Sequence, residues 1–126
     1  FTFSMHGANN YPFKKESSDL DIALKKGTTD GEYLSVLKAT LTNLFKEIRP
    51  KFVFYLCGVD ILETDKLGTL SLSLEGCKRR DQLVLESCYQ LQIPVQCSMG
   101  GGYSTDIKKI VEAHANTFRL AQQIYF

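Results

Sequence analysis

Two carboxylates and a run of glycines ending in tyrosine are the residues of this chain best placed to do chemistry. Asp60 follows the apolar run Phe52–Cys57 and is preceded by Gly58, which lets backbone or ligand approach closely. A carboxylate just past a buried strand can serve as a hard or borderline metal ligand. It can also satisfy loop amides or cap a short helix, and spacing alone favours that structural role. Asp65, in the same loop, is expected to shape it by accepting hydrogen bonds. Gly100, Gly101 and Gly102 run directly into Tyr103, whose phenol could donate a hydrogen bond to a developing oxyanion. Strand, glycines and helix in that order also suit a phosphate or nucleotide cradle over Met99–Ser104. No Walker lysine and no G-x-G-x-x-G spacing accompany it, so that signal is weak. His6 closes a strand and is expected to organise a loop; His114 lies on an apolar helical stripe and is expected to pack in the core.

These residues need elements to hold them. Alternation marks Phe1–His6 as a first strand, closed by Gly7-Ala8-Asn9-Asn10, and Asp19–Leu24 as a second, ended by Lys25-Lys26-Gly27. Thr29-x-x-Glu32 resembles a capping box and starts a helix near Thr29 or Asp30. Tyr33, Val36, Leu37, Leu41, Leu44, Phe45 and Ile48 form its apolar stripe, and Pro50 stops it. Phe52–Cys57 is nearly continuously apolar, as expected of a strand covered on both faces. Thr69–Leu74 is ambiguous. A helix from about Glu75 to Leu91 turns Leu83, Val84, Cys88 and Leu91 inward and leaves Lys78-Arg79-Arg80-Asp81 as a solvated face. Pro94–Ser98 is a fourth strand. The last helix, about Thr105–Tyr125, gathers Ile107, Val111, His114, Phe118 and Ala121 on one face, with Ile124 or Tyr125. Strands alternating with long amphipathic helices predict an α/β fold with a parallel sheet, whose function gathers after the carboxyl ends of strands. Three loops meet that rule: His6–Phe13, Gly58–Gly68 and Met99–Ser104.

At 126 residues the chain is expected to form one domain with a real core, and 44% apolar with 23% charged residues is ordinary globular composition. A net charge of +1 gives no electrostatic case for nucleic acid or a membrane surface. No apolar run approaches the length of a membrane span. Cys57, Cys77, Cys88 and Cys97 show no C-x-x-C spacing and are expected to be buried free thiols in a reducing, cytoplasmic or nuclear compartment. The chain opens directly into strand-like alternation without an initiator Met, as a piece of a longer protein would.

In order along the chain, FTFSMHG…NYPF, GVDILETDKLG, GCKRRDQLV and GGGY resemble the C-terminal half of a histone deacetylase catalytic domain, of the arginase/deacetylase superfamily. The resemblance covers Phe1 to about Phe126, and DKLGTLSLSLEGCKRRDQLV is most similar to class IV deacetylases and their bacterial relatives. It implies a three-layer α/β/α fold with a mainly parallel sheet, here 1–126 as a partial domain. It also implies a zinc-dependent lysine deacylase, in which the metal activates a water that attacks an acyl amide. Asp60 then matches a zinc ligand, and Tyr103 the phenol that polarises the acyl carbonyl. Tyr11 and Leu67 match walls of the acyl-lysine channel, Gly101 and Gly102 its backbone lining. Ser4 and the carbonyl of Met5 match a structural monovalent-cation site, potassium being the expected ion. The implied partner is an acylated lysine, in a protein or a small molecule.

The same resemblance implies an Asp-x-His ligand pair and two histidines for acid–base work. None of these matches a position here, and the chain alone is therefore expected to be inactive. The family strand order, 2-1-3-8-7-4-5-6, makes the four strands here numbers five to eight. The Phe1 and Phe52 strands would flank a position that this chain does not fill. Either two open edges are expected there or direct pairing of those strands, and open edges invite association with a second copy.

Overall fold

The computed structural model describes all 126 residues. Its elements are β1 (Phe3–Gly7), β2 (Leu20–Leu24), α1 (Asp30–Ile48), β3 (Val53–Leu56), α2 (Leu74–Gln90), β4 (Val95–Ser98) and α3 (Ile107–Tyr125). Each lies within two residues of its expected bounds. The α/β class with parallel strands is as the sequence predicts. β1 pairs in parallel with β2, Phe3 opposite Leu20, and β3 pairs in parallel with β4, Val53 opposite Val95.

The two pairs do not join: β1 and β3 are not hydrogen-bonded to each other, so of the two outcomes expected there the open edges are realised. Between them lies a groove of about 590 Å³, walled by β1 and β3 residues and floored by Leu37, Leu41 and Phe45 of α1. β3 is covered on one face rather than two. Val53 and Tyr55 pack against the core, whereas Phe54 and Leu56 are 80% and 71% exposed. No helix of this chain lies over that face. The apolar sequence of β3 thus leaves one apolar face bare within these residues.

The core joins all three helices to the strands, with Leu37 and Leu41 of α1, Val84 and Cys88 of α2 and Ala113 of α3 in one cluster with Val59, Leu62 and Leu72. Three details correct the expectations. Thr29 is the N-cap of α1 but makes no side-chain cap bond. Asp30 instead reaches across to Ser73, accepting from its N at 2.8 Å and its Oγ at 2.6 Å, while Ser73 caps α2 through Gly76 N. The second concerns α3, which buries Ala113, Asn116, Thr117 and Leu120, while Ile107, Val111 and Phe118 are exposed. Thr117 and Asn116 are polar, so apolar periodicity pointed to the wrong face. The third is the largest: Arg80 and Asp81, expected in water, are 4% and 0% exposed. The cysteines are free; Cys97 is half-buried and the other three are buried.

Gly76 is where the α1 and α2 starts meet, because a Cβ there would overlap the Asp30 carboxylate. Gly76→Ala is expected to push that carboxylate off Ser73 and to destabilise the chain by about 1–3 kcal/mol, read from the midpoint of urea unfolding.

Candidate functional site

The loops after β1, β3 and β4 come together at one end of the strands. Gly7, closing β1, abuts Thr69 so closely that a Cβ on it would overlap the threonine hydroxyl. The β3 and β4 loops are laced by backbone bonds, Cys57 N to Ser98 O and Val59 N to Gly100 O, each 2.9 Å. Asp60 follows directly, packed between glycines. A Cβ on Gly58 would stand 2.9 Å from its Oδ1, and a Cβ on Gly101 would stand 2.8 Å from its Cβ and Cγ. Gly68 packs on the Asp60 carbonyl just as tightly. Gly101 and Gly102 have φ of 67° and 106°, so the turn needs glycine for its backbone as well as for its space. Asp60 is half-buried and lines the groove between β1 and β3.

Asp65 ties the second half of the site together. Its Oδ1 accepts from Leu67 N at 2.9 Å and Gly68 N at 2.7 Å, and its Oδ2 accepts from Tyr103 N at 2.8 Å. The loop-shaping role expected of Asp65 therefore holds, and it extends to the glycine loop. Leu67 and Tyr103 are exposed side chains anchored by one carboxylate. Ser4 and Met5 line the groove with Asp60, and Ser4 Oγ lies 2.8 Å from His6 Nδ1. That bond runs within β1 and reaches no loop residue. Tyr11 is exposed, with its ring edge-on to Phe13 at 6.3 Å. His114 is half-buried beneath the glycine loop; its Nδ1 has no partner, and its Nε2 would lie 3.7 Å from a Cβ on Gly102.

Behind the site sits a polar group that periodicity read as solvated. Asp81 Oδ1 accepts from Tyr55 OH at 2.5 Å and Arg80 Nε at 2.8 Å, and Oδ2 accepts from Thr117 Oγ1 at 2.6 Å. Arg80 Nη1 donates to the carbonyl of Gly58 at 2.5 Å. Burial pushes the Tyr55 phenol well above its ordinary value, with Asp81 adding to the rise, so it stays a donor. Burial opposes the Arg80 charge, but the Asp81 carboxylate beside it keeps the guanidinium ionised. One signal could have placed these residues: Cys77, Asp81, Val84 and Cys88 fall at helical spacing, so the stripe of α2 runs straight through Asp81.

Asp60 fits one ligand position of a zinc site, open on the groove side and free of side chains from Gly58 and Gly101. The chain supplies no cluster of three His, Cys, Asp or Glu side chains, so these residues alone do not make up a zinc donor set. A phosphate cradle suits the glycine loop poorly. Asp65 takes the Tyr103 N–H, and Asp106 caps α3 by accepting from Lys108 N at 3.0 Å, so carboxylates occupy amides that an anion would need.

Residues 1–118 match the model of the histone deacetylase domain. An uncharacterized protein of Picosynechococcus sp. is 42% identical over 125 residues, which is 99% of this chain and 42% of that protein. Histone deacetylase 2 of Arabidopsis thaliana is 30% identical over 114 residues, 88% of this chain and 30% of that protein. The chain thus spans at most about two-fifths of the length of these relatives. Among solved structures, acetylpolyamine aminohydrolase from Burkholderia pseudomallei superposes with a TM-score of 0.79 at 18% identity, over 97% of this chain and 37% of that one. An HDAC homolog from Aquifex aeolicus gives 0.72 at 21% identity, over 100% of this chain and 40% of that one. These likenesses show the arginase/deacetylase fold.

Gly101→Ala would force a side chain into a left-handed conformation and against Asp60. It is expected to cost about 1–3 kcal/mol of stability, measured by denaturant unfolding. The same change at Gly31, whose added Cβ meets nothing within 4 Å, is expected to be neutral or stabilising.

Proposed function

Because this chain belongs to the histone deacetylase domain family, we propose that its protein is a zinc-dependent deacylase acting on acylated lysine or a similar acylated amine. The observation that carries this is the convergence of Asp60, Gly101 and the Asp65-anchored Tyr103 at the ends of β3 and β4. Zinc, when bound, would polarise the acyl carbonyl and lower the pKa of a water, with Asp60 as one of its ligands. The remaining ligands and the acid–base histidines would come from outside these 126 residues, and the chain by itself is inactive. Tyr103 donates its phenol to the acyl oxygen as negative charge develops there. Leu67 and Tyr11 line the acyl-lysine channel, and Gly101 and Gly102 narrow it without side chains. Ser4 and the Met5 carbonyl hold a structural potassium ion. The acetylated polyamine named for the Burkholderia protein supports a small acylated amine beside acylated protein as substrate. The DKLGTLSLSLEGCKRRDQLV stretch supports class IV, and the free cysteines support a cytoplasmic or nuclear location.

In the full-length protein, Asp60→Asn is expected to abolish zinc in elemental analysis and acetate release from acetyl-lysine. Tyr103→Phe is expected to keep the zinc and lose about 10²–10³-fold in kcat, as removal of one oxyanion donor does. A full-length protein that holds no zinc and releases no acetate would overturn the proposal, as would Tyr103→Phe at wild-type rate.

The open edges and the exposed Phe54–Leu56 face further support self-association of the chain when it stands alone. Sedimentation is expected to show concentration-dependent oligomers. Phe54→Lys is expected to shift them towards monomer while changing stability by no more than about 0.5 kcal/mol.

A further inference from the structure

Arg80 is the one charged side chain that joins the buried polar group to the candidate ligand loop. Two partners fix its position. On one side Nε and Nη2 lie 2.8 and 2.7 Å from Asp81 Oδ1; on the other, Nη1 holds the Gly58 carbonyl at 2.5 Å. Asp81 is itself pinned from β3 by Tyr55 and from α3 by Thr117. The Tyr55 ring lies 5.8 Å from the Arg80 guanidinium carbon, close enough for a cation–π contact. Gly58 is the hinge of the site: its carbonyl is taken by Arg80, and its missing side chain makes room for the Asp60 carboxylate. The Gly58–Val59 peptide is held on both sides, its carbonyl by Arg80 and its N–H by the Gly100 carbonyl, and Asp60 follows it directly in the chain.

The geometry points to Arg80 as a positioning residue: through the Gly58 carbonyl it sets where the Asp60 carboxylate stands, with Asp81 as its anchor. Only a guanidinium can do this. Its fork spans an acceptor on each side with separate nitrogens, whereas a lysine ammonium is a single point. A burial so complete is costly for a charge pair that served stability alone, since well-packed apolar residues are often as good or better there. The claim about the loop stands without the deacylase proposal; only its zinc readout rests on that proposal.

The test uses the full-length protein carrying Arg80→Lys, with Thr117→Val as a control that removes the bond to Asp81 Oδ2 but leaves Arg80 on Asp81 Oδ1 and on Gly58. Arg80→Lys is expected to speed amide hydrogen exchange at residues 58–62 while residues 37–45 of α1 keep wild-type protection. Zinc affinity by chelator competition is expected to fall about 10–100-fold, as for other partners that orient a ligand, and kcat to fall with KM held. Thr117→Val removes only the bond to Asp81 Oδ2, while Oδ1 stays held by Tyr55 and Arg80, so it is expected to lower the melting temperature and leave exchange at 58–62 unchanged. If Arg80→Lys does not fold, the pair Arg80→Met with Asp81→Asn, which leaves no lone buried charge, carries the same test. Unchanged exchange at 58–62 in a folded Arg80 variant, or an equal rise in Thr117→Val, would overturn the positioning role. If the wild-type protein binds no zinc but the exchange result holds, the deacylase proposal fails and the role of Arg80 in the loop stands.

Discussion

The structure hangs on one buried carboxylate. Asp81 is fully removed from water, and an ion so placed costs several kcal/mol unless every lone pair finds a donor. Here the donors come from three elements: Tyr55 of β3, Arg80 of α2 itself and Thr117 of α3. That requirement fixes how β3, α2 and α3 meet. It also explains why α3 turns Thr117 and Asn116 inward and leaves Ile107, Val111 and Phe118 outside. A helix free to follow its apolar stripe would leave Asp81 without one of its bonds. At this position hydrogen bonding and hydrophobic periodicity point to opposite faces of α3, and the face that carries Thr117 to Asp81 is the one turned inward.

The site follows from the same anchor and from glycine. β3 and β4 run parallel, so their carboxyl-end loops lie side by side, and Asp60 and Tyr103 are brought to one mouth although more than forty residues of chain lie between them. Gly58 and Gly101 flank Asp60 without side chains, and Asp65 binds the two loops into one unit. What the site lacks is walls. Phe54 and Leu56 face solvent, β1 and β3 leave an apolar groove between their edges, and the chain spans at most about two-fifths of its relatives' length. The groove and the bare face mark where a further strand and layer would fit a parallel sheet buried on both sides.

Much of this was legible in the residues. Strands and helices announced themselves by periodicities of two and of three to four, and Pro50 and the turn residues marked their limits. The rule for parallel sheets places the loops at the carboxyl ends of the strands, and the loop-shaping role that sequence predicts for Asp65 is met by its three bonds. Other features were not legible. Thr29 looked like the start of a capping box, yet Asp30 is engaged by Ser73, forty-three residues away. Lys78-Arg79-Arg80-Asp81 looked like a wet charge run because charge is usually solvated. Only the donors waiting on β3 and α3 make burial of its last two residues tolerable.

The sequence by itself therefore determined the elements, their order, the α/β class and the likeness to a deacetylase, because these depend on local pattern and on motifs read in line. The tertiary structure decided which face of α3 is buried, that Arg80 and Asp81 lie inside, and that β1 and β3 stay apart. Each of those depends on partners distant in the chain, and a one-dimensional pattern holds no record of which distant group will satisfy a buried charge. Asp60 shows the division most plainly. Its type and spacing left it either a loop residue or a ligand; its place among Gly58, Gly101 and the groove makes it a carboxylate held open towards a shared cavity.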